Sequence, residues 1–275
     1  MDWWRRYAWV AAVLVALVAV GCGSSRGRSP EASYRYRTAG LVPVSFSAGK
    51  ASSALASSAP RAVADGPPVE PARALPRGTS AVAWSRSRPV AVYRSPRART
   101  PERRFPVHDQ FGITQVFLVK RAVPGWLEVY LPVRPNDSTG WIRSAGVDLT
   151  LNRYRVLVNV AAHELTTLRA GRVIMHATVG VGKPATPTPH GLFYVIERLK
   201  MVPDTGPYGT YAFGLSAYSN VLKTFGTGDA QIALHGTDEP ASIGQNWSNG
   251  CVHLPDSVAD WLAKRLPLGT PVVIS

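Results

Sequence analysis

The 275-residue chain predicts a mainly β protein with two folded units, and three observations carry that expectation. From about Ala81 to the C-terminus, short runs rich in β-branched and aromatic residues recur between Pro, Gly, Asn and Asp breaks. One clear helical spacing, from Val258 to Leu266, limits the helix content to one or two short pieces. Ahead of Ala81 both patterns vanish.

Arg5 and Arg6 precede an uncharged apolar run from Tyr7 to Val20. That run matches a signal-peptide core and is shorter than the roughly 20 residues of a spanning helix. It ends Leu17-Val18-Ala19-Val20-Gly21-Cys22-Gly23-Ser24, similar to a bacterial lipobox with a small residue before the cysteine to be lipidated. Residues 1–21 are therefore read as a lipoprotein signal peptide and Cys22 as the lipid anchor. The expected location is the outer face of a bacterial cytoplasmic membrane, facing the wall. An uncleaved anchor or ordinary secretion is the alternative.

Residues 22–80 are rich in Ser, Ala, Pro, Gly and Arg, with few aromatics and no sustained apolar period. Such a segment lacks the apolar surface to order itself and reads as a disordered basic tether, about 200 Å long when extended. The formal charge is +14, with 21 Lys and Arg against 9 Asp and Glu in residues 1–150 but 10 against 8 in 151–275. No nucleic-acid recognition motif accompanies that charge, so nucleic acid is not an expected partner. Anionic lipid headgroups or anionic wall polymers are.

In residues 81–149, Pro89–Tyr93, Thr114–Val119, Trp126–Leu131 and Gly140–Arg143 read as strands of a small β-barrel. In residues 150–275, Arg153–Val160 alternates, and Leu165–Met175 reads as a hairpin turning at Ala170-Gly171. Asp256 or Ser257 is placed to cap the helix, Pro267 and Gly269 stop it, and Val272–Ile274 forms a last strand. The stretch Pro203–Gly214 mixes loop formers with aromatics and is expected to be a lid lined by Tyr208, Tyr211 and Phe213.

The strongest chemical signal is His235-Gly236-Thr237, followed sixteen positions after the histidine by Cys251 within Ser248-Asn249-Gly250-Cys251-Val252-His253. A free thiol is mostly protonated at neutral pH, and an imidazole that takes its proton makes it a nucleophile. His235 is expected as base, in an ion pair with Cys251. The amides of Gly250 and Cys251 are candidate oxyanion donors. Ser248, Asn249 and a backbone carbonyl near Gly236 are each available to orient the base. The chain holds two cysteines, so a lipid on Cys22 leaves Cys251 unpaired. A zinc reading of His235, Cys251 and His253 is weaker, because no short-spaced chelating pair is present.

These residues resemble the catalytic motif of the L,D-transpeptidases, the cysteine enzymes of bacterial peptidoglycan. Gly180-Val181-Gly182 and Thr188-Pro189-His190-Gly191-Leu192-Phe193 resemble the family's preceding Gly-rich stretch. Asn249 and His253 stand where the family most often has His and Arg. The resemblance implies an L,D-transpeptidase-type β-sandwich in which Cys251 is acylated by a peptidoglycan stem peptide and then released by an amine. It implies no cofactor and no metal. The product would be a 3→3 cross-link, with D-alanine leaving a tetrapeptide stem. Tyr208, Tyr211, Thr237, Trp247 and His253 are the expected substrate contacts. Gly125–Val129 and Arg134–Ile142 resemble bacterial SH3-like domains of wall proteins. Resolution of the acyl-enzyme by water, giving an L,D-carboxypeptidase, and a non-catalytic wall-binding lipoprotein are the rival readings.

Overall fold

The computed structural model describes residues 35–38 and 75–275. The expected signal peptide, the lipidation site Cys22 and most of the expected tether lie outside the described residues. Among the described residues no helix is long and apolar enough to cross a membrane.

One short strand corrects the reading of the tether. β1 (Arg35–Thr38) pairs antiparallel with Leu199–Val202 of the C-terminal region. An edge strand presents unpaired N–H and C=O groups that accept any extended segment of suitable register, and four residues do not register in the average composition of a long stretch.

The N-terminal β unit comprises β2 (Ser80–Ser85), β3 (Val90–Val92), β4 (Arg103–Phe105), β5 (Val116–Val123), β6 (Trp126–Tyr130), β7 (Thr139–Arg143) and β8 (Val147–Asn152). Five of them form a sheet in the order β7-β6-β5-β2-β8, and β3-β4 is a separate pair joined to β7 by a Tyr93–Trp141 bridge. Alternation buries Ala83, Val90, Val92, Phe117, Leu127, Val129 and Ile142 in one core. Because Asn152 pairs with Ser80, this sheet runs past the border expected at residue 149 and ends at Asn152.

The C-terminal region follows as β9 (Tyr154–Asn159), β10 (Glu164–Arg169), β11 (Arg172–Thr178), β12 (Val181–Gly182), β13 (Gly191–Tyr194), β14 (Leu199–Val202), β15 (Tyr211–Tyr218), β16 (Gln231–His235), β17 (Asn246–Ser248), β18 (Val252–His253), α1 (Asp256–Ala263) and β19 (Pro271–Ile274). Two five-stranded sheets result, β1-β14-β15-β16-β18 and β11-β10-β9-β19-β13. Val156, Val158, Leu165, Phe193, Val272 and Ile274 of one sheet share a core with Phe213, Leu215, Ile232, Leu234 and Val252 of the other, and Ala259 and Leu262 of α1 join it. This is the expected β-sandwich, with the expected hairpin at Ala170-Gly171, both at positive φ.

Two details differ from the sequence reading. Tyr211 to Gly214 belongs to β15, and Phe213 is fully buried, so the loop former run ends before Tyr211. The helix ends at Ala263, and neither Asp256 nor Ser257 caps it, since the N-cap is Pro255. Asp256 instead accepts a hydrogen bond from the Thr210 amide at 3.1 Å, and Leu266 stays buried past the helix end.

The two β units share apolar surface. Val82, Val116 and Leu118 pack with Tyr194, whose hydroxyl donates to the Tyr130 carbonyl at 3.0 Å. Ile113 packs with Leu199, Met201 and Ala212.

Candidate active site

β16 and β18 run parallel, with Leu234 opposite Val252 and His235 opposite His253. Cys251, one residue ahead of β18, therefore lies beside Ala233, which makes a backbone hydrogen bond with its thiol. Side chains two apart on a strand share a face, so Ala233 and His235 point the same way. His235 and Cys251 line one cavity of about 260 Å³.

The orientation of His235 is fixed by its own backbone. Nδ1 donates to the Gly236 carbonyl at 2.6 Å, which leaves Nε2 as the lone-pair nitrogen. Of the three groups open to the sequence, the carbonyl is the partner. Ser248 is used elsewhere, and Asn249 is exposed at the cavity wall.

Burial acts against both charged forms of the expected ion pair. Burial of His235, with the nearby His253 ring as a smaller cause, holds its pKa down at about 3, against the pull of the Gly236 carbonyl. Burial pushes the Cys251 thiol up to about 11, opposed by the Ala233 hydrogen bond. Desolvation is the largest cause at each group, and it favours the neutral thiol and the neutral imidazole.

The turn carrying Cys251 is stitched by Ser248. Its Oγ donates to the Cys251 carbonyl at 2.5 Å and accepts from the Gly250 amide at 3.0 Å. Gly250 sits at φ 121°, a conformation that side chains rarely adopt. The Gly250 amide is thus committed to Ser248, which corrects its expected role as an oxyanion donor. The Cys251 amide has no backbone partner among the described residues.

With this geometry established, similarity to known proteins becomes decisive. A family model described as the L,D-transpeptidase catalytic domain, YkuD, matches residues 153–274. The Bacillus subtilis protein YqjB, named as an L,D-transpeptidase, is 30% identical over 131 residues, covering 44% of this chain and 70% of its own length. The chain belongs to the L,D-transpeptidase family. Another Bacillus subtilis protein of that name, YkuD, is 34% identical over 122 residues, 44% of this chain, and the match spans 66% of that relative's length. A solved LD transpeptidase, LdtMt1 in complex with imipenem, is 17% identical, with 59% of this chain and 92% of that chain covered at a TM-score of 0.39.

The second L,D-transpeptidase motif proves to be a support for the first. Gly182 pairs with Ser248 across β12 and β17, the Lys183 amide donates to the Ser248 carbonyl at 3.0 Å, and Thr186 Oγ1 donates to that same carbonyl at 3.2 Å. Thr188 Oγ1 accepts from the Gly182 amide at 2.8 Å. A methyl group on Gly182 would collide with the Thr186 carbonyl, and one on Gly180 with that of Ser242. These glycines admit backbone where a side chain has no room.

The remaining predicted residues of the L,D-transpeptidase site divide clearly. Tyr208, Thr237, Trp247, Asn249 and His253 line the cavity with Ser248. The Tyr208 ring meets His235 edge-on with centroids 4.9 Å apart. His253 has its ring centroid 4.9 Å from that of His235 and its Nδ1 2.8 Å from Ser242 Oγ. Among the described residues no three His, Cys, Asp or Glu side chains form a metal-binding group. Tyr211 does not line the cavity; it packs against the sandwich core, and its carbonyl accepts from the Gly236 amide at 3.0 Å. Gly236 gives space, with Gly209 and the Asp256 carboxylate pressed against it.

Sequence reasoning missed Leu222, Phe225 and Gln231, which complete the cavity wall, and Ser242. Apolar residues just ahead of Gly226 and Gly228, where a loop is expected, are the sequence signal for the first two.

Proposed function

We propose that the protein is an L,D-transpeptidase that forms 3→3 cross-links between peptidoglycan stems. The observation that carries this reading is the contact of His235 Nδ1 with the Gly236 carbonyl, which reserves Nε2 for the proton of Cys251 in the cavity the two residues share. With burial favouring both neutral forms, the thiol proton passes to Nε2 as Sγ attacks the carbonyl of the third stem residue. The Cys251 amide faces the oxyanion that develops. The imidazolium then protonates the leaving D-alanine amine, and a thioester remains on Cys251. An amine from a second stem enters, gives its proton to His235, and displaces the thiol, which recovers that proton.

Incubating the purified chain with disaccharide-tetrapeptide tests this reading by mass spectrometry. Cross-linked dimers lacking one D-alanine are expected, and none from Cys251→Ala. Disaccharide-tripeptide without dimers would make it an L,D-carboxypeptidase. Exposure to a carbapenem, whose strained lactam carbonyl acylates the same sulfur, should add one adduct that Cys251→Ala loses; no adduct and no product would leave a wall-binding protein.

Export and lipidation at Cys22 form part of the proposal, supported by the apolar run, Gly21-Cys22 and the basic stretch after it. Fatty-acid labelling in a bacterial host that is lost in Cys22→Ala is the expected outcome. The N-terminal β unit is proposed as SH3-like on its strand pattern.

A further inference from the structure

We propose that Arg134, from the N-terminal β unit, is a positioning residue that shapes the substrate wall of the active site in the other unit. This inference rests on the acyl-transfer reading above.

The wall is the loop between β15 and β16, which places Leu222 and Phe225 on the cavity. From Val221 to Asp229 only Leu222 is other than exposed, with Val221 at 54% and Phe225 at 50%. Such a loop has no apolar core of its own to set its shape. Its internal bonds are few: Ser219 N to Ala230 O at 2.9 Å across the base, the reciprocal Phe225–Gly228 pair at 3.0 Å at the tip, and Ser219 Oγ accepting from the Val221 and Leu222 amides.

Arg134 supplies the missing centre. One Nη donates to the Ser219 carbonyl at 2.6 Å, and the other donates to the carbonyls of Leu222 at 3.0 Å and Asp229 at 2.8 Å. A planar guanidinium with several diverging donors can gather three carbonyls that converge from both arms of a loop. Its plane also lies 5.0 Å from the Tyr218 ring centroid, and Tyr218 OH donates to the Pro132 carbonyl at 3.0 Å. Two residues on, Asn136 donates to the Tyr218 carbonyl at 2.8 Å and accepts from its amide at 2.9 Å, as a paired strand would. The segment Pro132–Asn136 thus holds the end of β15 and the carbonyls of the loop beyond it. Nothing in this set touches Cys251 or His235, so the loop, and not the nucleophile, is what depends on Arg134.

The test uses the full chain with Arg134→Ala, Arg134→Lys and Asn136→Ala. Three readouts are taken: hydrogen exchange of 219–229, alkylation of Cys251 by iodoacetamide, and turnover of disaccharide-tetrapeptide. Arg134→Ala should speed exchange in 219–229 and raise KM by about tenfold, while iodoacetamide alkylation stays within about twofold. Lysine, with one compact ammonium, should restore only part of the protection and of the KM. A folded Arg134→Ala protein with wild-type exchange and KM overturns the proposal. If the alanine variant does not fold, wild-type values in Arg134→Lys and Asn136→Ala overturn it instead. A wild-type chain that is alkylated but never releases D-alanine defeats the function proposed above, and exchange in 219–229 then decides for or against the hold of Arg134.

Discussion

The Asp256 carboxylate stands against the Cα of Gly236, so closely that a methyl group on that glycine would overlap Oδ1. The same oxygen accepts from the Thr210 amide, two residues past Tyr208. The first residue of α1 thereby ties the loop that carries Tyr208 to the backbone whose carbonyl orients the base.

Gly236→Ala should therefore disturb the site and not merely the fold. Displacing Asp256 frees Thr210, shifts Tyr208 from the His235 ring and moves the Gly236 carbonyl. A loss of about a hundredfold in kcat/KM is expected, since small misplacements near reacting groups cost that much. Turnover assays with the disaccharide-tetrapeptide check it; wild-type turnover in the variant would show that the glycine is dispensable.

Ser248→Ala removes both hydrogen bonds that close the Cys251 turn and strands the buried Gly250 amide. A buried donor left unpaired costs about 1–3 kcal/mol. The melting temperature should fall, and acylation by a carbapenem should slow. Unchanged melting would mean that Gly250 and the Gly182 strand hold the turn unaided.

Burial of the thiol and of the imidazole predicts two different pH profiles. With the thiol held up at about 11, simple alkylation by iodoacetamide should climb about tenfold per pH unit from 7 to 10. Acylation by a carbapenem uses neutral His235, which persists down to about pH 3, and should be much flatter across neutrality. A plateau of alkylation below pH 8 would instead reveal a preformed ion pair.

Glu197 and His235 pull stability in opposite directions with pH. Burial, with Asp109 as the next cause, raises Glu197 to about 7 from its ordinary 4.5, so the folded state binds the extra proton between those values. That stabilisation is complete below pH 4.5 and is lost as pH rises through 7. His235, depressed from 6.5 to about 3, is the reverse: the unfolded state binds more protons in that window, and stability is lost as pH falls through it. Glu197→Gln should raise the melting temperature at pH 8 relative to wild type and leave the acid flank in place. Thermal melts from pH 4 to 8 read this directly.

Much of this site is legible in the sequence because its reactive parts are contiguous and chemically distinctive. His235-Gly236 and Ser248 through Cys251 each sit on a few consecutive residues, so strand alternation and one turn are enough to aim them. The sandwich is legible for the same reason, its hairpin and last strand following from local pattern. What escapes is whatever depends on burial or on distant chain. The upward push on the Cys251 thiol follows from desolvation that no motif encodes, and the Gly250 amide is taken by a hydroxyl whose direction only the fold reveals. Phe225 and Leu222 reach the cavity on a loop fastened by Arg134, some ninety residues earlier in the chain. Tyr211 was misread because its neighbours Gly206, Pro207 and Gly209 mark a turn that stops just short of it.

The parallel ladder between β16 and β18 separates two jobs that most small active sites mix. Leu234 to Val252 and His235 to His253 set the register of the strands that carry imidazole and sulfur. The chain from Gly236 to Gly250 carries Thr237, Asp238, Glu239 and Trp247 along the cavity rim, and Ser242 and Ser248 within it brace His253 and the Cys251 turn. Exchange at Thr237, Asp238, Glu239 or Trp247 can therefore alter the rim while the reacting atoms keep their places, provided Gly236, Gly250 and the Ser248 bonds are preserved.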